Sequence, residues 1–275
     1  MNVRRATLTL AAALAAAMFL PQIARADAPA APAPSPTAAP AQVPALTSTT
    51  DLELGGTNDQ LTDDRGTWNA AYLLGLYRRS DGLSLYGDAS QNQRFGYADT
   101  QYGAGAYVPL TKQNVADVLI SFSPQHHILP SSTIELGDDI RLHQGYGIQV
   151  GYRDSSYPSA NVGVTSVGFD RYYGDDRIAY ASHFAVLSNV PGVAWTNSLS
   201  WSRYLPRDVY TFAAYAGRDV ENTGTTIATY GSVGVGGDLL HWMTPSTAIH
   251  FGLGDYTLTG AYDRFEVQLG LRARI

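Results

Sequence analysis

Two short clusters contain side chains that could take part in catalysis or bind a metal ion. His126 and His127 are adjacent, and with a nearby serine they could form a hydrolytic site of the kind used by some membrane lipid hydrolases. Asp175 and Asp176 could hold a calcium ion. Adjacent residues of an extended chain point to opposite sides, however, and aspartate is favoured in turns because it bonds to the local backbone. The spacing therefore favours an exposed loop and a turn, with a lipid hydrolase as an alternative.

Ionisable residues on one side of extended segments offer a second kind of chemistry. Only 15% of the residues are charged, yet several arginines and carboxylates lie two residues apart or in similar segments. Residues two apart share one face of a strand, so these groups could form ion pairs or line a path for ions. The set comprises Glu135, Asp139, Arg141, Arg153, Arg171, Arg264, Glu266, Arg272 and Arg274.

Motifs that support enzymatic chemistry are absent from the sequence. It contains no Gly-x-Ser-x-Gly, His-Glu-x-x-His or phosphate-binding-loop motif, and its Gly-x-Gly pairs at 103–105 and 234–236 lie in strand-like segments. The absence of cysteine excludes disulfides, thiolate metal ligands and cysteine nucleophiles. We therefore predict a protein that is not an enzyme and that uses no cofactor or metal ion.

A two-residue period in hydrophobicity predicts the elements that would position these groups. Near the C-terminus, charged or polar residues alternate with an apolar face made of Phe265, Val267, Leu269, Leu271, Ala273 and Ile275. Similar alternation recurs over residues 146–153, 193–202 and 227–236. The pattern predicts β-strands with one apolar face and one face of Ser, Thr, Gly, Gln and Arg.

The composition of the polar face favours a membrane barrel over a soluble β-sandwich. A sandwich buries its apolar faces and covers its outside with Lys and Glu, whereas this chain has one lysine, Lys112. After residue 26, no apolar run approaches the roughly 20 residues of a membrane helix, so any membrane role requires strands. We predict an all-β, antiparallel, up-and-down transmembrane β-barrel over residues 48–275.

Turn signals divide residues 48–275 into fourteen segments. Each strand with its connection then takes about 16 residues, which fits membrane strands of roughly 9 to 11 residues and short turns. Twelve to sixteen strands are also compatible with the length. The connections are expected to alternate in length, with short ones at 80–82, 142–144 and 205–207 and longer ones at 55–65, 123–131 and 218–225.

One aspartate does not fit the pattern. Asp138 shares a face with Ile134, Leu136, Ile140 and Leu142. A charge that faces lipid costs free energy, so we interpret the adjacent Gly137 as a β-bulge that changes the register.

In such a barrel, the ionisable residues on the polar faces are expected to line the lumen. Charges at membrane depth are costly unless they pair or meet water. The sequence leaves open whether they control ion selectivity or form a structural ion-pair network. A barrel of fourteen strands is expected to be partly filled by arginines and tyrosines. Neutralising Arg153 and Arg272 is then expected to lower a preference for anions with little effect on folding.

The first 47 residues are predicted to contain an export signal followed by a disordered tail. Two arginines precede an apolar run over residues 6–20 and a small-x-small cleavage site over 24–26, which predicts a signal peptide over residues 1–26. Residues 27–47 are rich in Ala and Pro, which favours a disordered tail. Removing the three arginines of the signal peptide leaves 15 basic and 24 acidic groups, a net charge of −9 that argues against nucleic-acid binding. The expected location is the outer membrane, with the tail in the periplasm.

Several short segments resemble the YaiO family of outer-membrane β-barrel domains. In chain order they are Ser123-Pro124, Leu129-Pro130, Gly168-Phe169-Asp170-Arg171-Tyr172-Tyr173, Gly217-Arg218-Asp219-Val220-Glu221 and Gly270-Leu271-Arg272. The resemblance extends over roughly residues 50–275 and implies a location and a fold more than an activity.

Two classes of function are compatible with these observations. One is a passive or export conduit for a secreted polysaccharide or small solutes, and the other is a closed structural or assembly barrel without transport. Expected partners are outer-membrane lipids, lipopolysaccharide and, during insertion, the barrel-assembly machinery.

The apolar face of the last predicted strand generates a first testable prediction. The chain ends in an apolar residue, Ile275, which continues that face as in the C-terminal assembly signals of barrels. The substitution Ile275→Asp should place a charge at the membrane edge and lower the yield of inserted barrel. The yield is measured in the outer-membrane fraction, and a yield equal to that of the unmodified protein would contradict the assigned face.

Overall fold

The computed structural model describes residues 48–62, 66–222 and 227–275. The predicted signal peptide (1–26) and tail (27–47) lie outside the described residues. Within this part of the chain there are fourteen β-strands and one 3₁₀ turn, His143–Gly145. In the same residues, no helix is long and apolar enough to cross a membrane.

The segments of alternating hydrophobicity form strands of 9 to 18 residues. Most exceed the roughly 9 to 11 residues that a tilted membrane strand requires. They are β1 Thr49–Leu61, β2 Thr67–Arg78, β3 Ser84–Arg94, β4 Tyr97–Pro109, β5 Asn114–Phe122, β6 Ser132–Arg141, β7 Tyr146–Ser156, β8 Asn161–Tyr173, β9 Asp176–Leu187, β10 Val190–Tyr204, β11 Asp208–Asn222, β12 Ile227–Thr244, β13 Thr247–Thr259 and β14 Tyr262–Arg274.

The strands close into a single antiparallel barrel in which each strand pairs with the next along the chain. The closure pairs β14 with β1, in a register that runs from Asp51↔Arg274 to Leu61↔Arg264. Closure leaves no strand edge with unpaired backbone groups, which is the condition for a sheet to lie in lipid. The predicted fold class and the count of fourteen strands are confirmed. We call the seam between β1 and β14 the closure seam.

The two faces of the sheet have opposite character. Apolar side chains point outward, so that Leu54, Ile134 and Leu271 are 65%, 55% and 58% exposed, whereas Glu53 and Arg272 on the inner face are 2% and 3% exposed. This distribution of apolar and charged side chains is the opposite of that in a soluble protein, and it suits an exterior in contact with lipid. The outward residues of β14 include Phe265, Leu269, Leu271 and Ala273, and Ile275 follows the strand with 78% of its surface exposed.

The connections do not alternate in length as expected. At the end of the barrel that bears the 123–131 connection, which we call the loop end, the strands β3–β4, β9–β10 and β13–β14 are joined by only two residues each. At the opposite end, which holds Thr49 and Arg274 and which we call the terminal end, the connections have two to five residues. The expectation holds for the long connection 123–131 and for the short ones near 80–82, 142–144 and 205–207. It was wrong for 55–65 and 218–225, because β1 continues to Leu61 and β11 to Asn222, so these residues extend the hairpins.

The interpretation of Gly137 as a bulge was also wrong. The pairing of β6 is continuous through Gly137 on both sides, with Asp117 of β5 and Gly151 of β7 as its partners. Asp138 therefore stays on the outer face, where the amide of Asn114 lies 3.5 Å from its carboxylate. Asp138 lies three residues from the terminal end of its strand, where a lipid-facing charge costs less than at the bilayer centre.

One hairpin leaves the barrel wall at the loop end. The pairing of β10 with β11 ends at Thr196↔Gly217, and the pairing of β12 with β13 begins at Gly231↔Thr259. Between these points the described residues 218–222 and 227–230, which we call the arm, pair only with the facing strand of the same hairpin. A Cβ atom on Gly217 would lie 2.7 Å from the Thr196 Cα, so glycine permits the close approach at which the arm departs.

The arm crosses the mouth of the barrel. The Asn222 side-chain amide donates to the carbonyl oxygens of His127 and Ile128, at 3.3 and 2.9 Å. These two residues belong to the connection between β5 and β6, on nearly the opposite side of the ring. Ile227 packs in an apolar cluster with Val162 and Leu187. The arm and the 123–131 connection together narrow the loop end.

Candidate functional site

Ion pairs cross the closure seam on the inner face, and their carboxylates are buried. Three acidic residues on β1 meet three arginines on β14: Asp51 with Arg274 (2.8 Å), Glu53 with Arg272 (2.6 Å) and Asp59 with Arg264 (3.7 Å). The two-residue period explains why the three acids share one face. Because each charge in this low-dielectric position has an opposite charge beside it, the row tolerates burial that a single charge would not.

Further polar groups surround the middle pair of the seam. The Tyr72 hydroxyl donates to Glu53 at 2.8 Å, and the His250 Nδ1 lies 2.9 Å from the same carboxylate. The Gln268 amide donates to the Tyr72 hydroxyl at 2.9 Å. These side chains are all buried. The network fills the lumen on this side of the barrel, and its polar groups form hydrogen bonds with one another.

Aromatic rings cover the seam toward the loop end. The Arg264 guanidinium lies 5.4 Å from the Trp68 ring and 4.8 Å from the Tyr256 ring, which are cation–π distances. Glu266 is 3.9 Å from the same guanidinium. Trp68, Tyr256 and Tyr262 form part of one buried cluster. Both Arg264 and Glu266 are thus part of the packed wall.

A third charged group occupies the terminal end. Asp170 points inward and accepts from Arg177 at 2.9 Å, with Arg141 3.6 Å away. Arg141 also lies over the Tyr172 ring at 5.0 Å. Asp139 faces inward on the same strand as Arg141, two residues before it.

Arg171 does not face the lumen, so its assignment to the lumen was wrong. It is exposed on the outer face of β8 with Val167 and Phe169, and its guanidinium lies 4.8 Å from the Tyr146 ring. Asp170 and Arg171 are adjacent, so one of the two must point outward. Asp170 has arginine partners inside, and Arg171 lies near the strand end, where a charge can reach the headgroup level.

A cavity of about 250 Å³ lies in the lumen away from the closure seam, mostly between the inner faces of β3 to β11. Its roof at the loop end consists of the arm and residues 128–130. Tyr157, in the connection between β7 and β8, also lines the cavity, and burial there raises the pKa of its hydroxyl. Most wall groups are hydrogen-bonding side chains, among them Ser90, Asn92, Glu135, Gln149, Arg153 and Thr196.

A serine and a histidine that the sequence analysis did not select lie together in the cavity wall. The Ser166 hydroxyl and His183 Nδ1 are 2.8 Å apart, and His183 Nε2 is buried without a hydrogen-bond partner among the described residues. Ser166 and His183 are direct register partners on β8 and β9. The two-residue turn Gly174-Asp175 sets this register, so the turn position was the signal that could have identified the pair.

The two clusters first considered for catalysis have local structural roles. The Asp175 backbone carbonyl accepts from the Tyr204 N–H at 2.8 Å, and the Asp176 carboxylate accepts from the Trp201 indole N–H at 3.1 Å. His127 Nδ1 lies 2.9 Å from Asp99, and the His127 ring stacks on Tyr97 at 5.1 Å. The second oxygen of Asp99 accepts the backbone N–H groups of Ile128 and Leu129 at 2.7 and 2.9 Å. In the part of the chain that the structure describes, no group of three potential ligands could hold a metal ion. Asp99 therefore anchors the 123–131 connection.

The chain was compared with protein families and known proteins. The YaiO membrane beta barrel domain family matches residues 49–218. No curated protein matches the sequence. Among solved structures, the chain is similar to the Acinetobacter baumannii outer membrane protein Omp33, with 12% identity, coverage of 82% of this chain and 99% of that chain, and a TM-score of 0.49. It is also similar to the KdgM porin, with 10% identity, coverage of 80% and 98%, and a TM-score of 0.47.

Arg153 and Arg272 were both predicted to line the lumen, but Arg272 lies in the closure seam whereas Arg153 lines the cavity. Because Arg272 is buried against Glu53, the substitution Arg272→Gln should destabilise the barrel by about 3–5 kcal/mol, contrary to the expectation of little effect on folding. The measurement is urea unfolding followed by the loss of heat-modifiable gel mobility. Arg171→Gln, an outer-face arginine on β8, is the control and should change stability little.

A double variant tests whether the effect comes from the pair itself. Glu53→Gln combined with Arg272→Gln leaves no unpaired buried charge at this position, so its loss of stability should be smaller than the two single losses together. Strictly additive losses would show that Glu53 and Arg272 act independently.

Proposed function

The chain belongs to the YaiO membrane β-barrel family, and on this premise we propose that its barrel is a conduit for small polar solutes across the outer membrane. The observation that carries the proposal is the cavity of about 250 Å³ on the side away from the closure seam. A lumen that served only as a structural core would be packed with side chains throughout. This one combines a packed, ion-paired side with an unfilled polar side.

The inner faces of the strands explain where the path runs. Small side chains, including Ala181, Ala185, Ala194 and Ser198, line the cavity on β9 and β10 and leave space beside the wall. Larger side chains, among them Tyr72 and Arg272, fill the opposite wall. A path along β9 and β10 would be narrow and polar, which suits small solutes more than a wide polymer.

The orientation in the membrane follows from the position of the chain ends. We place the terminal end and the tail of residues 27–47 in the periplasm, and the loop end with the arm outside the cell. Lipid and lipopolysaccharide would contact the apolar outer face, and the barrel-assembly machinery would contact the chain during insertion. An export role for a secreted polysaccharide remains the wider form of the proposal and would require displacement of the arm.

A closed structural barrel without transport is the second candidate. It is favoured by the hydrogen bonds from Asn222 to the backbone of His127 and Ile128 across the mouth. A hydrolytic role has less support, because His127 is engaged with Asp99 and Tyr97. We therefore propose a protein without enzymatic activity.

Location gives a direct test of the membrane assignment. The protein should be recovered in the outer-membrane fraction and should migrate faster on gels before heating than after, because the closed barrel resists detergent unfolding. Recovery in the soluble periplasmic fraction would contradict the assignment.

Conductance distinguishes the two candidate functions. The purified protein should form small channels in planar bilayers, and the double substitution Asn222→Ala and Ile227→Ser should raise their conductance, because it removes contacts that hold the arm across the mouth. Asn189→Ala is a matched control, since Asn189 also donates to a backbone carbonyl at the loop end, that of Ser159, but lies outside the arm. An absence of conductance in both the unmodified protein and the double variant would favour the closed barrel.

A further inference from the structure

We propose that the lumen cavity contains a binding site for a small, polyhydroxylated carboxylate, such as a sugar acid, centred on Arg153 of β7. The inference rests on the proposed function for its biological purpose, because it names the class of solute that the conduit would take. The binding site itself can be tested without any transport measurement.

Arg153 lines the cavity without an ion-pair partner among the described residues, in contrast to four other arginines of the inner face. Arg78, Arg177, Arg272 and Arg274 each lie within 3.0 Å of a carboxylate. In the described part of the chain, no carboxylate lies within 4 Å of the Arg153 guanidinium, although this side chain lines the cavity. A permanent cation in such a position requires water or an anionic ligand as its partner.

The acid opposite Arg153 does not neutralise it. Glu135 is its direct register partner on β6, yet the two side chains form no ion pair. Both side chains line the cavity, and the guanidinium can contact a solute there.

The two other cavity arginines are engaged. The Arg94 guanidinium lies 4.7 Å from the Trp68 ring, and Arg218 donates to Thr229 at 3.2 Å within the arm. Asp219, an acid of the arm that also lines the cavity, accepts from Tyr256 at 2.9 Å and from the Val220 backbone. Among the described arginines of the cavity, Arg153 is thus the one without such a side-chain contact.

Besides the acidic residues Asp88, Glu135, Asp219 and Glu221, neutral hydrogen-bonding groups line the same cavity. Ser166, His183, Gln149 and Thr196 line the same cavity from β7 to β10. His183 holds Ser166 through Nδ1, and its buried Nε2 lacks a partner among the described residues. The site thus offers one fixed cation, an unpartnered imidazole nitrogen and several hydroxyl and amide groups.

This set of groups fits a sugar acid. The planar guanidinium matches a carboxylate with two parallel hydrogen bonds, and the hydroxyl and amide groups can exchange hydrogen bonds with solute hydroxyls. The cavity of about 250 Å³ is large enough to hold several waters. A six-carbon sugar acid is of comparable size.

Calorimetric titration of the full mature chain in detergent tests the site, with sodium D-gluconate as the probe and D-glucose as the uncharged comparison. Gluconate should bind measurably and more tightly than glucose. Arg153→Gln should weaken gluconate binding by at least about tenfold, because a charge-assisted pair is lost. Arg171→Gln removes the same charge from the outer face of the neighbouring strand and should leave the affinity unchanged.

The proposal is overturned if gluconate binds no better than glucose, or if Arg153→Gln binds gluconate as the unmodified protein does. Heat-modifiable gel mobility shows whether each variant is folded. Should Arg153→Gln fail to fold, Arg153→Lys decides, because it keeps the charge but loses the planar fork: a reduced affinity supports the proposal and an unchanged one contradicts it.

Conductance measured on the same preparation separates this inference from the proposed function. If the barrel conducts but does not bind gluconate, the proposed conduit is supported and the binding site is contradicted. If it binds gluconate but does not conduct, the binding site is supported and the conduit is contradicted.

Discussion

The pairing of buried charges across the closure seam is the constraint on which the rest of the structure depends. A membrane barrel has to join its first and last strands, since an open edge in lipid would leave backbone groups unpaired. Here the joining strands also carry inward charges, and the register that aligns Glu53 with Arg272 neutralises them. The packed network around this seam fills one side of the lumen and confines the free space to the other side.

The sequence was sufficient for the fold because lipid imposes a simple rule on it. Each strand needs one apolar face, so a two-residue period identifies the strands and their count, and mostly separates inner from outer residues. The rule fails where the cost of a charge is small. Arg171 and Asp138 lie near strand ends, and there the periodicity did not decide which charge points outward or whether the register shifts.

The candidate site was less predictable, for reasons that differ from one group to the next. The Ser166–His183 pair follows from a tight turn, so local sequence determines its register. No turn joins β1 to β14, and nothing local fixes the register that brings Glu53 to Arg272. Whether an inner arginine is paired, as Arg272 is, or unpaired, as Arg153 is, depends on that closure and on the course of the arm.

The closure seam also has a consequence for the order of assembly. The acids of β1 are synthesised first and their arginine partners on β14 last, with Asp51 and Arg274 separated by 223 residues. Until the last strand arrives, a partly inserted barrel would carry a row of uncompensated carboxylates beside lipid or in a half-formed lumen. Such intermediates are unfavourable, and the cost of the unpaired carboxylates persists until β14 is in place. Chains that lack β14 would then be unstable in the membrane, so that mainly complete chains would accumulate there.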